Sequence, residues 1–394
     1  MVVAGAHNHR LPDPVRMTQE LVRFPSVTPQ DHGCMAHIAG WLEPLGFTIH
    51  RLRFGVTENL YARLGTHGPL FCFAGHTDVV PAGTPELWHV PPFAGEIRDG
   101  YLIGRGVCDM KGGVAAMVAA LQRFLPAHPE ATDHFSLALL ITGDEEGEGS
   151  DGTLRVLDWL QERGEQIDYC LVGEPTSIDR LGDCLKNGRR GSMDGHLVVQ
   201  GKSGHVAYPQ LANNVIHAAG PWVAQLAGMT LDAGNADFAP SSLQLTTLHS
   251  ASPAGNVIPD QLEARFNIRF NTEQTPERLT ATLRELCDRM AAAAHVTYQL
   301  ETRANSLPFL TQPGWLLGAM TEAIQAVTGL TPERSTGGGT SDARLIAPVC
   351  PEVVEFGVPN GTIHQINESC RVEDLVLLSE VYLALLERLL KARH

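Results

Sequence analysis

Ser136-Leu-Ala-Leu-Leu-Ile-Thr-Gly-Asp-Glu-Glu-Gly147 is an apolar run that stops at three consecutive acids, Asp144, Glu145 and Glu146. The apolar part, Phe135 to Ile141, is too short for a helix and is bounded by Gly143, which reads as a buried strand. The acids then stand at its carboxyl end. Three acids alone describe a solvated turn, but other strands of this chain end in the same way.

Leu70 to Ala74 is a second compact apolar strand, running into Gly75-His76-Thr77-Asp78. With a period of two residues His76 and Asp78 share a side, so the carboxylate is expected to reach and orient the imidazole. Asp168 to Val172 is another strand and ends at Gly173-Glu174-Pro175-Thr176. Between them, Gly104-Arg-Gly-Val-Cys-Asp109 leads into a strongly helical Met110 to Leu125, with Asp109 expected as the N-cap. Further helices are expected over 13–24, 34–45 and 153–163, and an irregular loop over 81–101. Strands alternating with helices specify an α/β parallel sheet, in which ligands bind outside the carboxyl ends of the strands.

From Gly191 the texture changes. Strands over 193–200, 242–248, 261–270 and 295–301, with helices over 213–226 and 276–294, give the order β-α-β-β-α-β of a small ferredoxin-like α+β sandwich. The expected organisation is one domain from 1–190 and 305–394, with 191–304 inserted as a second. Its apolar strand edges and the turn from Gly201 to Tyr208 suggest a self-pairing surface. After the insertion come a helix over 313–328, the loop Thr336 to Asp342, a strand over 352–356 leading to Asn360-Gly-Thr-Ile-His364, and a final amphipathic helix over 373–392.

Composition narrows the function classes. The 394 residues hold 29 Lys plus Arg against 44 Asp plus Glu, a formal charge of −15, which argues against nucleic acid or an anionic membrane as a partner. With 43% hydrophobic and 19% charged residues and a mean hydropathy of −0.05, the chain reads as an ordinary globular protein. Eight scattered cysteines without a CxxC pair read as buried thiols in a reducing compartment. Neither a leader pattern nor a long apolar run is visible, so a cytoplasmic location is expected. His7 and His9 read as part of a polar terminus rather than a metal tail.

The strand ends and the late His364 gather five candidate ligands: His76, Asp109, Glu146, Glu174 and His364. One ion rarely needs five. Two ions sharing one carboxylate would use them all, and mixed His and carboxylate donors suit catalytic zinc rather than a closed thiolate site. Of the adjacent Glu145 and Glu146, one can serve as ligand while the other acts as a base. Asp144 is left with turn formation and solvation.

GHTDVVP (75–81), GRGVCDMKGG (104–113), DEE (144–146), GEPT (173–176) and TIH (362–364) together resemble the M20 family of di-zinc aminoacylases and peptidases, over nearly the whole chain. The resemblance implies two zinc ions per subunit, with cobalt as a substitute. Asp109 would bridge them, His76 and Glu174 completing one site and Glu146 and His364 the other. It also implies Glu145 as general base, Asp78 as the partner of His76, a cis peptide after Asp109, and a homodimer formed through the inserted domain. In that homodimer His205 of one copy would serve the other's site.

LGDCLKNGRRGS (181–192), GHVAYP (204–209), GGGTSD (337–342) and EFGVPNGTIHQINE (355–368) are similar to the branch of that family acting on N-succinyl-LL-2,6-diaminopimelate. The reaction so implied releases succinate and LL-2,6-diaminopimelate; the alternative is another M20 deacylase, such as one for acetylornithine, or a dipeptidase. Arg189, Arg190 and Arg269 would hold substrate carboxylates. Tyr208, Asn256, Gly339, Thr340, Ser341 and Asn360 match further substrate-binding positions of the family. Departures from the pattern are Thr77, Cys108 and the Ala254-Gly255-Asn256 turn, and none removes a ligand.

Overall fold

The computed structural model describes residues 12–392, so His7 and His9 lie outside the described residues. The described residues divide into two compact units, one of 12–187, 311–335 and 341–392, the other of 188–310 and 336–340.

The larger unit is built on an eight-stranded mixed sheet. At its centre Leu70–His76 lies between Ser136–Thr142 and Tyr169–Val172, and all three are parallel. The first two are buried along their whole length. That is why they are continuous apolar runs rather than alternating ones. Glu352–Glu355 continues the parallel set beside Tyr169–Val172. On the other flank an antiparallel hairpin, Thr48–Phe54 and Thr57–Leu64, pairs with Ser136–Thr142. The hairpin had no counterpart in the sequence reading, because its outer strand carries His50, Arg51 and Arg53 and is only half-buried.

Helices Pro14–Val22, Gly112–Ala127, Trp315–Thr328 and Val372–Lys391 pack against one another and share the unit's apolar core. The last helix buries Leu375, Leu378, Leu385 and Leu386 completely, each worth roughly 1.5–3 kcal/mol relative to exposure. The segment expected as an irregular loop over 81–101 contains a short helical turn, Pro85–Leu87, and strand Glu96–Arg98. With Tyr101–Ile103 and Ser369–Arg371 that strand forms a small sheet.

In the inserted unit four antiparallel strands run in the order Ser242–His249, Gln261–Phe270, Gly191–Gln200, Thr297–Ser306. Helices Val215–Ala227 and Pro276–Ala294 cover one face, burying Trp222, Leu226, Leu283 and Leu286 against Phe266 and Phe270. This is the ferredoxin-like order. The last strand starts at Thr297 rather than His295, because His295 takes the left-handed cap (φ 54°) that ends the preceding helix. Boundaries expected at 190/191 and 304/305 fall at 187/188 and 310/311. The pairing of Gly188–Arg189 with Phe309–Leu310 opens the insertion earlier and closes it later.

Candidate metal centre and active site

Three parallel strands deliver their ends to one place. His76 is the last residue of its strand and pairs with Thr142, the last of the next; Glu174 follows Val172 after a single glycine. That approach needs small residues behind it. A Cβ on Gly75 would meet Met110 Cε at 2.4 Å and one on Gly173 would meet the same methyl at 2.8 Å, so the Met110 side chain fills the space both glycines leave.

Asp109 lies just ahead of a helix but does not cap it. The helix starts at Gly112 with Lys111 at the cap, while Asp109 (φ −118°, ψ 95°) and Met110 are non-helical. The peptide between them is cis. The expected N-cap is therefore corrected: the turn aims the Asp109 carboxylate away from the helix. One of its oxygens lies 3.1 Å from His76 Nε2 and the other 3.2 Å from His364 Nε2. His364 Nε2 is also 2.8 Å from Glu146 Oε1, and His76 Nε2 is 3.9 Å from both Glu145 Oε2 and Glu174 Oε1. Ligand atoms of His76, Asp109 and Glu146 lie within 4.8 Å of one another. All five residues proposed from sequence as ligands, with Glu145, thus meet at one point.

Asp78 is placed differently from expectation. The His76 ring is hydrogen-bonded through Nδ1 by the backbone carbonyl of Asp78 at 2.9 Å, with the nearer carboxylate oxygen 3.6 Å away. The carboxylate instead accepts the backbone N–H groups of Glu145 at 3.2 Å and Glu146 at 3.0 Å. Asp144 is buried rather than solvated, and accepts the Asp151 N–H at 3.0 Å to close the same turn.

The electrostatics express a shortage of positive charge. Burial opposes charge on His76, but the Asp109 hydrogen bond and the nearby Glu145 and Glu174 hold its imidazole well above the ordinary value. Hydrogen bonds to Asp109 and then Glu146 raise His364 to about 10. Burial pushes Glu145 up to about 8, opposed by His76 and reinforced by Asp342, Asp109 and Glu146. Glu174 rises too, through burial and then through Asp109 and Glu145. Burial also acts on Asp109, yet the two imidazoles outweigh it and keep its carboxyl well below the usual range. Four carboxylates thus face two imidazoles at one buried point, an arrangement with more negative than positive groups. This donor set fits a pair of divalent cations with nitrogen and oxygen preferences. Cys108 is not part of it, its thiol being turned to the Ser369 carbonyl at 3.2 Å.

The remaining proposed residues sort by unit. In the larger one, Asn360 is half-buried with its N–H on the Ser177 carbonyl. Ser341 is fully buried, with its hydroxyl on Glu355 at 2.9 Å. In the inserted one, Arg189 is buried and donates to the Gly339 carbonyl at 2.9 Å, which shapes the loop that carries Thr340. Arg269 is half-buried, and burial followed by the neighbouring Arg190 holds its guanidinium below the ordinary value. His205 and Asn256 lie on one two-stranded ribbon, where His205 pairs with Val257 and the Asn256 carbonyl accepts the Val206 N–H. The exposed Tyr208 ring sits 5.8 Å from the His205 ring. Sequence reasoning assigned nothing to Arg105 and Glu368, which are buried beside the ligand loops. The only trace of them is a charged residue in each of two Gly- and Asn-rich segments.

The model of peptidase family M20/M25/M40 matches residues 72–388. The chain belongs to that family. Membership places this M20 chain among hydrolytic enzymes. It is 53% identical to a protein of Magnetococcus marinus named succinyl-diaminopimelate desuccinylase, over 96% of this chain and 98% of the relative. A protein of the same name from Thioalkalivibrio sulfidiphilus is 50% identical, over 96% and 99%. By fold this M20 chain is similar to an aminopeptidase from Bacillus cereus, with a TM-score of 0.78 at 20% identity over 96% and 98% of the two chains. It is also similar to a Bacillus subtilis protein described as a dinuclear metal-binding peptidase from the M20 family, with a TM-score of 0.73 at 18% identity over 96% and 98%. Among the described residues no helix is long and apolar enough to cross a membrane.

Proposed function

We propose that this M20 chain hydrolyses the succinyl amide of N-succinyl-LL-2,6-diaminopimelate to succinate and LL-2,6-diaminopimelate. In this reading His76 with Glu174, and Glu146 with His364, would hold two zinc ions, replaceable by cobalt, with Asp109 as the carboxylate common to both sets. The observation that carries it is the division of Asp109: one oxygen faces each imidazole, at 3.1 and 3.2 Å. Identity of 50% or more with full-length relatives named for this reaction supports the substrate.

When bound, such an ion pair polarises an amide carbonyl and lowers the pKa of water from about 15.7 toward about 7. Glu145 is the base. Its carboxylate sits beside His76, takes a proton from the attacking water and returns it to the nitrogen as the C–N bond breaks. The new C–O bond leaves the acyl group as a carboxylate. His205 donates to the amide oxygen as negative charge develops there, from a second copy of the chain in a homodimer built through the inserted unit. Such a donor is worth about 3–4 kcal/mol.

The substrate carries three carboxylates, and in this reading Arg189, Arg190 and Arg269 are their partners, with Tyr208, Asn256, Gly339, Thr340, Ser341 and Asn360 as further substrate-binding residues. N-Acetylornithine, with a single carboxylate, would leave the close pair Arg190 and Arg269 without a counter-charge. The enzyme works on a small molecule in the cytoplasm, with neither nucleic acid nor membrane as partner. The test is succinate release from N-succinyl-LL-2,6-diaminopimelate by purified protein: activity that a chelator removes and Zn2+ restores supports the reading. Activity indifferent to the chelator refutes it.

A further inference from the structure

Glu368 is fully buried, four residues beyond His364. One of its carboxylate oxygens accepts the N–H groups of Cys108 at 2.9 Å and Asp109 at 3.2 Å; the other accepts Gly106 N–H at 3.0 Å and Arg105 Nη1 at 2.9 Å. Three N–H groups of one turn, those of Gly106, Cys108 and Asp109, converge on this anion and form a concave backbone nest. Gly106 supplies the bend with φ 83°, and a Cβ there would meet Val79 Cγ1 at 2.4 Å. The main chain of Glu368 takes part as well, its carbonyl accepting Gly104 N–H at 2.9 Å.

The same residues reach the other ligand loop. Arg105 Nη2 donates to the His364 carbonyl at 3.4 Å, and its guanidinium lies 5.3 Å from the centre of the Trp88 ring. His364 itself is held at φ 60°, in a loop that Thr362 closes on Ser369 through a hydroxyl accepting at 3.1 Å and donating at 3.0 Å. Glu368 with Arg105 therefore joins the turn that presents Asp109 to the loop that presents His364. Neither side chain touches the ligand atoms.

We propose that Glu368 and Arg105 are positioning residues that lock the Asp109 turn to the His364 loop and so set the geometry with which these two ligands take metal. The inference rests on the reading of Asp109 and His364 as ligands. It predicts that the pair tunes metal affinity, which a merely structural ion pair would not do. Groups that orient ligands in this way typically govern affinity by about 10–100-fold.

The experiment is titration of the apo protein with Zn2+ against a chromogenic chelator, alongside its thermal melt. Glu368→Gln keeps the volume but turns one acceptor into a donor facing N–H groups. Arg105→Lys keeps the charge and the nest but loses the reach to His364. Both should bind Zn2+ about 10-fold or more weakly, while Glu380→Gln, at the surface pair with Arg123, binds as the parent does. Folded variants with parental Zn2+ affinity overturn the proposal. Should Glu368→Gln fail to accumulate folded, Arg105→Lys decides alone. His364→Ala separates the two readings: if it too binds as the parent, the ligand assignment has failed, and if only His364→Ala loses affinity, the positioning role has failed.

Discussion

Asp78 holds the backbone of Glu146, with its Oδ2 accepting the Glu146 N–H at 3.0 Å while Oδ1 accepts that of Glu145 at 3.2 Å. The carboxylate thereby fixes the two adjacent glutamates on one rigid turn. Burial pushes its pKa up to about 6, against the pull of His76 and of these same backbone bonds. Asp78→Asn replaces one acceptor by a donor that confronts an N–H. We expect kcat to fall by about 10–100-fold with KM little changed, read from initial rates with Zn2+ in excess. Unchanged kcat would show that the turn needs no such anchor.

Glu145→Ala removes the proposed base and none of the proposed ligands. Turnover should drop by about 10²–10⁴-fold while bound zinc, counted by elemental analysis, stays at the parental level. Loss of metal along with activity would instead make Glu145 a ligand.

Arg190 and Arg269 are close enough for repulsion to depress the Arg269 pKa, and Arg190 Nε is buried without a hydrogen-bond partner. Arg269→Met should raise KM for the succinylated substrate by about 10-fold or more, the size of a lost charged hydrogen bond. It should leave the melting temperature no lower, because burial and Arg190 already disfavour that charge. A lower melting temperature with unchanged KM would make Arg269 structural.

Asp232 makes the inserted unit sensitive to acid. Burial raises its pKa, but bonds from the Ser241 side chain and backbone, then Gly234 and Asn271, outweigh this and bring it to about 2. Its Oδ1 accepts at 2.9, 3.0 and 2.7 Å from Gly234, Ser241 and Asn271. A folded pKa below the unfolded value of about 3.9 adds stability that is full above about pH 4 and is lost as pH falls toward about 2. Amide exchange in the strands 242–249 and 261–270 should accelerate over that window. Asp232→Ala should exchange faster at pH 6 and change less between pH 4 and 2; identical profiles would contradict the assignment.

The ligand-bearing strand ends were readable because buried parallel strands are written as unbroken apolar runs, and the residue after each run is forced to the sheet's carboxyl edge. The same logic misplaced Asp78. Two-residue alternation holds only inside a strand, and this one stops at His76. Asp109 looked like a helix cap because Met110 and Lys111 favour helix, yet both precede the first helical residue, Gly112. Glu368 was invisible for another reason. Its partners are main-chain N–H groups about 260 residues earlier, which no pattern of side chains records. The four-stranded inserted sheet was legible because one face is covered by helices and the strands alternate accordingly.

The most direct test of the central claim compares kcat/KM of the Zn2+-loaded protein for N-succinyl-LL-2,6-diaminopimelate and for N-acetylornithine, followed by amine release. A preference of about 10²-fold or more for the succinylated compound, abolished by chelation, is the predicted result. Preference for the acetylated compound would contradict it.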